Sequence, residues 1–160
     1  MRRALAIVGL GAGLWACHHG PDDATEHTRD VRVDASAEST YQYVARKPRV
    51  AVGIAESRGA EGDDAKRVAD RLADSASTCL ASLEKEGKLV DGALRILLPF
   101  DAGGIAQPPQ VVLADGPGVA ANGLLCIVAP ARMIALPPAD AGTRTLALEV
   151  AWGRDVGAGP

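Results

Sequence analysis

Residues 63–87 read DDAKRVADRLADSASTCLASLEKEG. Val68, Leu72, Ala76, Cys79, Leu80 and Leu83 recur at steps of three and four residues, the spacing that gathers side chains along one stripe of an α-helix. Asp63 and Asp64 supply a cap and favourable dipole partners at the start, and Gly87 closes the helix. Lys66, Arg67, Asp70, Arg71, Asp74, Glu84 and Lys85 fall mainly on the opposite, solvent side. Cys79 therefore belongs to the buried stripe. A helix with a single apolar stripe must bury it against another element, and the flanking segments read as that element.

Downstream of Gly87 the pattern becomes that of strands. Residues 93–100 and 105–113 flank Asp101-Ala102-Gly103-Gly104, a hairpin signal whose four-residue loop leaves the register open. Pro99, Pro108 and Pro109 lack ladder donors and push these strands toward sheet edges or bulges. After an Asp115-Gly116-Pro117 turn, a second helix is expected to run through Leu124, Leu125, Cys126 and Val128 toward Met133. Pro130 is expected to kink or interrupt it, and Pro137-Pro138 stops it. The alternation from Thr145 through Leu146, Leu148 and Val150 to Trp152 predicts a last strand, and residues 153–160 are expected to fray as a disordered tail. Upstream, Val31-Arg32-Val33 and Val50-Ala51-Val52-Gly53-Ile54 suit short half-buried strands, with Pro48 allowed at an edge. Tyr41 and Tyr43, two apart, would share one strand face and shelter the core beside the tether, with an exposed contact surface as the alternative. The expected class is α+β: a small antiparallel sheet packed against two helices, an α-β-β-α-β core preceded by short N-terminal strands, in one domain over residues 31–152.

The N-terminus carries a different message. Arg2 and Arg3 precede an apolar run over residues 4–14, followed by small residues, the order of a cleavable secretion signal. The run is well short of the roughly 20 residues that a membrane-spanning helix needs. The glycines of residues 9–13 have no preceding strand and no βαβ unit after them, so they are not a dinucleotide-binding turn. Leu14-Trp15-Ala16-Cys17 resembles the lipobox of bacterial lipoproteins, with Trp15 departing from the usual small residue. That resemblance implies a signal peptide over residues 1–16, cleavage before Cys17 and a diacylglycerol on its sulfur. An ordinary cleaved signal with a chance cysteine is the alternative. His18 takes the place where an Asp would favour retention in the inner membrane, which implies an outer-membrane anchor facing the periplasm.

If Cys17 carries lipid, Cys79 and Cys126 remain as an even pair in an oxidising compartment, and a Cys79–Cys126 disulfide follows. A redox or metal-binding pair is the weaker alternative, because the two residues lack C-x-x-C spacing. Residues 17–30, rich in His, Gly, Pro, Asp, Thr and Glu, cannot bury enough surface to fold and read as a flexible tether. His18, His19 and His27 with Asp22 and Asp23 could hold a metal loosely, but side chains of this kind on a tether are ordinarily just solvated. Loss of Arg2 and Arg3 leaves 15 basic residues against 20 acidic ones, a balance that argues against nucleic acid as a partner. The one basic cluster, Arg46-Lys47-Pro48-Arg49, reads as a solvated lead-in to a strand, with contact to anionic headgroups as its alternative.

The element order, helix with a cysteine, hairpin with an Asp-x-Gly turn, helix with a second cysteine, then Pro and a final strand, resembles the TonB C-terminal-like domain. The closer likeness is to the AgmX/PglI C-terminal type of myxobacterial proteins. Cys79, Asp101 to Gly104, Cys126, Leu136-Pro137 and the strand ending at Trp152 carry it, over about residues 65–152. Leu136 replaces the family's aromatic before Pro, Pro130 interrupts the second helix, and no N-terminal transmembrane helix couples the domain to an inner-membrane motor. The resemblance thus implies an edge strand that takes an extended peptide from an envelope partner, not an energy transducer. A plain scaffold or spacer is the alternative.

All three histidines fall on the tether, which leaves the folded part without an imidazole for a catalytic triad or a zinc site. Asp63, Asp64, Asp101 and Glu149 each have a structural reading, and Ser75, Ser77 and Ser82 lie on a helix with no base in view. The chain reads as a lipid-anchored binding or scaffolding module without cofactor or metal. A divergent carboxylate-dependent hydrolase of the envelope is the runner-up.

Overall fold

A computed structural model of the chain describes residues 41–60, 62–139 and 142–157. The expected signal peptide, Cys17, the tether and the Val31-Arg32-Val33 strand lie outside the described residues. The described chain begins with two strands, β1 (Tyr43–Lys47) and β2 (Val50–Arg58), followed by the helix α1 (Asp63–Lys85). A second strand pair, β3 (Gly92–Phe100) and β4 (Gln110–Asp115), leads into a π-helix, Val119–Val128, which runs on into the short α2 (Ala129–Ala131). The last strand is β5 (Arg144–Trp152). All neighbours pair antiparallel in the order β1-β2-β5-β3-β4, so the last strand sits in the middle, between β2 and β3. The class is α+β, an antiparallel sheet with helices packed on it.

Alternation along β5 sets the core. Leu146, Leu148, Val150 and Trp152 face the helices and are buried. Register stacks each against a partner on both sides: Ile54, Leu148 and Ile96 form one row, Val52, Val150 and Leu94 the next. Cross-strand rows of this kind are the stabilising unit of a sheet. Each large aliphatic chain taken fully from water contributes about 1.5–3 kcal/mol before chain entropy is counted. α1 lays Ala65, Val68, Ala69, Leu72, Ala73, Ala76 and Leu80 over β1 and β2. Four of these seven are alanines, which lets the helix axis approach the sheet closely.

The ends of α1 are built differently from each other. Its N-cap is Gly62, with no side-chain cap, so Asp63 and Asp64 serve as first-turn dipole partners and not as the cap expected of them. Asp63 reaches Lys66 at 3.5 Å, and Asp64 pairs with Arg67. At the C-terminus Gly87 adopts φ 69°, Lys88 N–H donates to Leu83 O at 2.8 Å and Gly87 N–H to Glu84 O at 2.9 Å. These are the paired bonds of a Schellman stop.

Several expectations are corrected. The second helix is π-helical over Val119–Val128: Ala129 N–H donates to Leu124 O, five residues back. Pro130, with no N–H to continue that ladder, marks the change to α2. The return strand of the hairpin starts only at Gln110, because Pro108 and Pro109 supply no donors; ahead of them isolated bridges join Phe100 to Ala106 and Ile105 to Ala135. β3 is not an edge strand, and Pro99 is tolerated because β4 pairs with β3 only from Ala93 to Leu97. Tyr41 and Tyr43 do not share a face. β1 begins at Tyr43, whose hydroxyl donates to Asp70 on α1 at 2.9 Å, whereas Tyr41 lies on the opposite side of the sheet over Gly53. Residues 153–157 do not fray: Arg49 N–H donates to Val156 O at 2.8 Å and Gly153 N–H to Arg49 O at 3.0 Å.

The Asp101-to-Gly104 turn is held as the sequence suggests. Asp101 Oδ1 accepts the Ile105 N–H at 2.9 Å, and Gly104 N–H donates to Asp101 O at 3.0 Å. Gly104 has φ 84°, and a Cβ there would stand 2.0 Å from the Leu136 carbonyl oxygen. Gly104→Ala should therefore destabilise the protein by about 1–3 kcal/mol, while Gly103→Ala on the same turn should stay within about 0.5 kcal/mol. Urea unfolding of the two variants beside the parent checks this.

Candidate functional site

Of the residues singled out in the sequence, Cys79 and Cys126 are brought together as a disulfide, with Cα atoms 5.5 Å apart. Cys79 comes from α1 and is half-buried; Cys126 comes from the π-helix and is fully buried. The bond clamps the π-helix to α1 across the top of the core. Beside it an open groove of about 650 Å³ is lined by Cys79, Leu83, Ala121 and Leu125. Asn122 holds the same corner: its Oδ1 accepts the Val90 N–H at 2.7 Å and its Nδ2 donates to Lys88 O at 3.2 Å. A buried amide in a helix, next to Gly123, is a signal that the sequence offers and that apolar periodicity passes over. Trp152 completes the corner, with Nε1 donating to Val90 O at 2.9 Å and the ring so close to Gly92 and Gly123 that neither has room for a Cβ.

The face of the sheet turned away from the helices carries a polar line. The Tyr41 hydroxyl donates to Glu149 Oε2 at 2.6 Å, and Arg95 Nη1 stands 3.4 Å from Glu149 Oε1. Gly53 makes room for the Tyr41 ring, since a Cβ there would lie 2.7 Å from it. Burial first, then the bond to the Glu149 carboxylate, pushes the Tyr41 phenol up to about 12. On the helix side the bond to Asp70 raises Tyr43 as well. Glu149 is thus held by two partners. Arg144, at the start of β5, is only 4% exposed, and its Nε and Nη2 meet no partner among the described residues.

The two sheet edges contrast. β1 carries Arg46 and Lys47, and Lys47 pairs with Asp74 of α1 at 2.8 Å. Charged side chains on an edge discourage further pairing. β4 carries charge only at its end: it reads Gln110-Val111-Val112-Leu113-Ala114-Asp115, and every residue is exposed. Val112 and Leu113 are each 56% exposed. One side of β4 pairs with β3; the other meets no strand among the described residues. A bulge between Arg95 and Ile96 leaves Val112 as the extra residue. It sets Val111 and Ala114 on the helix side, opposite Ile96 and Leu94, and Gln110, Leu113 and Asp115 on the other, opposite Leu97, Arg95 and Ala93. A small notch adjoins Leu113, lined by Ala93, Arg95, Asp115 and Glu149 on the same face and by the β5 strand at Val150. The prolines before Gln110 marked this region as an edge; that its outer side meets no strand among the described residues emerges only from the pairing.

No group of His, Cys, Asp and Glu side chains suited to a metal ion occurs among the described residues, and no described helix is long and apolar enough to cross a membrane. No family model, curated protein or solved structure matches the chain.

Two measurements follow from this geometry. Closing a loop across a sequence separation of 47 residues is worth about 4 kcal/mol in the chain-entropy model, so the Cys79→Ala, Cys126→Ala double variant should lose stability of that order in denaturant unfolding. Tyr41 favours the folded state while protonated, because its folded pKa lies above its ordinary one. Its contribution is complete below pH 10, the ordinary value, and is lost as pH rises through about 12. Melting temperatures taken between those limits should fall less steeply for Tyr41→Phe than for the parent.

Proposed function

We propose that this chain is a lipid-anchored binding or scaffolding module of the cell envelope, attached through Cys17 and able to recognise an extended peptide by strand addition to β4. The observation that carries the reading is the β4 edge, six exposed residues with an uncharged, apolar middle and one unpaired side. Main-chain bonds along such an edge provide affinity, and alternate side chains provide selectivity. The element order from α1 to β5 and the Cys79–Cys126 bond support the likeness to TonB C-terminal-like domains of the AgmX/PglI type.

The Leu14-Trp15-Ala16-Cys17 sequence supports the lipid anchor, and His18 supports an outer-membrane location facing the periplasm. Among the described residues there is no histidine to serve as a base. The carboxylates singled out in the sequence have structural work: Asp63 and Asp64 in the first turn of α1, Asp101 in its turn, Glu149 between Tyr41 and Arg95. These structural roles favour the binding reading over a carboxylate-dependent hydrolase.

Two experiments test the proposal. Cells fed labelled palmitate should label the parent and not Cys17→Ala; equal labelling would remove the anchor. A photo-crosslinking residue at position 112 should form adducts in the native envelope that map by mass spectrometry to one extended segment of an envelope protein. The same residue placed at position 46 on β1 should form none of these, and identical adducts from both sites would remove the β4 reading.

A further inference from the structure

Resting on the strand-addition reading above, we infer that β4 selects an extended peptide carrying Lys or Arg opposite Asp115 and an apolar residue opposite Leu113. The charge distribution along the edge is the basis. Asp115 is exposed, its carboxylate has no partner among the described residues, and β4 contains no basic residue. Arg95, which pairs with Leu113 on the same face, is engaged by Glu149 at 3.4 Å. An incoming strand therefore meets one uncompensated negative charge at the end of an apolar run.

Register turns this into a pattern. Asp115 and Leu113 lie on the face away from the helices, with Ala114 between them on the helix side. A strand added antiparallel, the pairing used throughout this sheet, places its first residue opposite Asp115 and its third opposite Leu113, over the notch formed with Ala93, Arg95 and Val150. Its second residue stands over Ala114, whose small side chain leaves space for a bulky one. The complementary sequence is thus basic, bulky, apolar, read from the peptide's N-terminus. A second copy of this chain fits less well. Antiparallel pairing of β4 with itself sets Asp115 against Gln110 or its neighbour Pro109, and both carboxylates stay uncompensated. The whole chain carries a formal net charge of −3, which also favours a basic partner during approach.

The test uses the full chain in detergent at low salt and three fluorescein-labelled hexapeptides read by anisotropy. The first is Lys-Val-Leu-Thr-Val-Thr, the second replaces its Lys by Glu, and the third is the Lys peptide with alternate backbone nitrogens methylated. The Lys peptide should bind about tenfold more tightly than the Glu peptide, the size expected when an exposed attraction is exchanged for a repulsion. Asp115→Asn should bring the two together, and Asp115→Lys should reverse their order. The methylated peptide should not bind. Equal binding of the Lys and Glu peptides with loss on methylation would overturn the charge inference while leaving strand addition standing. Equal binding of the Lys peptide and its methylated form would overturn strand addition itself. No binding by any peptide, together with a doubled mass in sedimentation that Val112→Lys halves, would assign the edge to a second copy and overturn both.

Discussion

The insertion of β5 between β2 and β3 is the constraint on which the rest of the structure depends. β2 and β3 do not pair with each other; each pairs with one side of β5, and the rows Ile54–Leu148–Ile96 and Val52–Val150–Leu94 exist only because that strand lies between them. Remove it and the sheet becomes two separate hairpins, one under α1 and one beside the π-helix. Isolated two-stranded ribbons are marginal in water, so the two halves stand or fall with the last strand. The Cys79–Cys126 bond joins the same halves a second time, through the helix layer.

Central placement of β5 also decides which edges remain. A five-stranded open sheet has two, and here they fall to β1 and β4. α1 reaches over β1 with Asp70 and Asp74, which engage Tyr43 and Lys47 and so turn that edge toward the helix. Among the described residues nothing comparable reaches β4. The π-helix packs on β3, inside the edge, and leaves Val111, Val112 and Leu113 open. The bare edge at β4 is therefore a by-product of how the core is closed: the helix that protects one edge is long, and the one near the other is short and set inward.

How much of this was legible in the sequence depends on the range of the interaction. α1 was legible because Val68, Leu72, Ala76 and Leu80 repeat within the element itself, and β5 because Leu146, Leu148 and Val150 alternate. The Asp101 turn was legible from its own side-chain bond and Gly104. The π-helix was not, since apolar spacing does not distinguish a ladder closing four residues back from one closing five; only the missing donor of Pro130 hinted at irregularity. The faces of Tyr41 and Tyr43 were misjudged because the period of two holds only inside a strand, and β1 starts at Tyr43. Sheet order was beyond local reading altogether. Of the site, the cysteines and the edge character of residues near Pro108 could be read, whereas the lone charge of Asp115 required knowing what Arg95 already holds.

The two tyrosines have a mechanical consequence. The chain enters the sheet at residues 41–43, and there one aromatic ring is fastened on each side: Tyr41 through Glu149 to the central strand, Tyr43 through Asp70 to the long helix. A pull transmitted along the N-terminal segment thus reaches β5 and α1 together instead of peeling β1 away one bond at a time. The load is divided across the thickness of the domain, and the strand order that closes the core also makes the start of β1 hard to peel away.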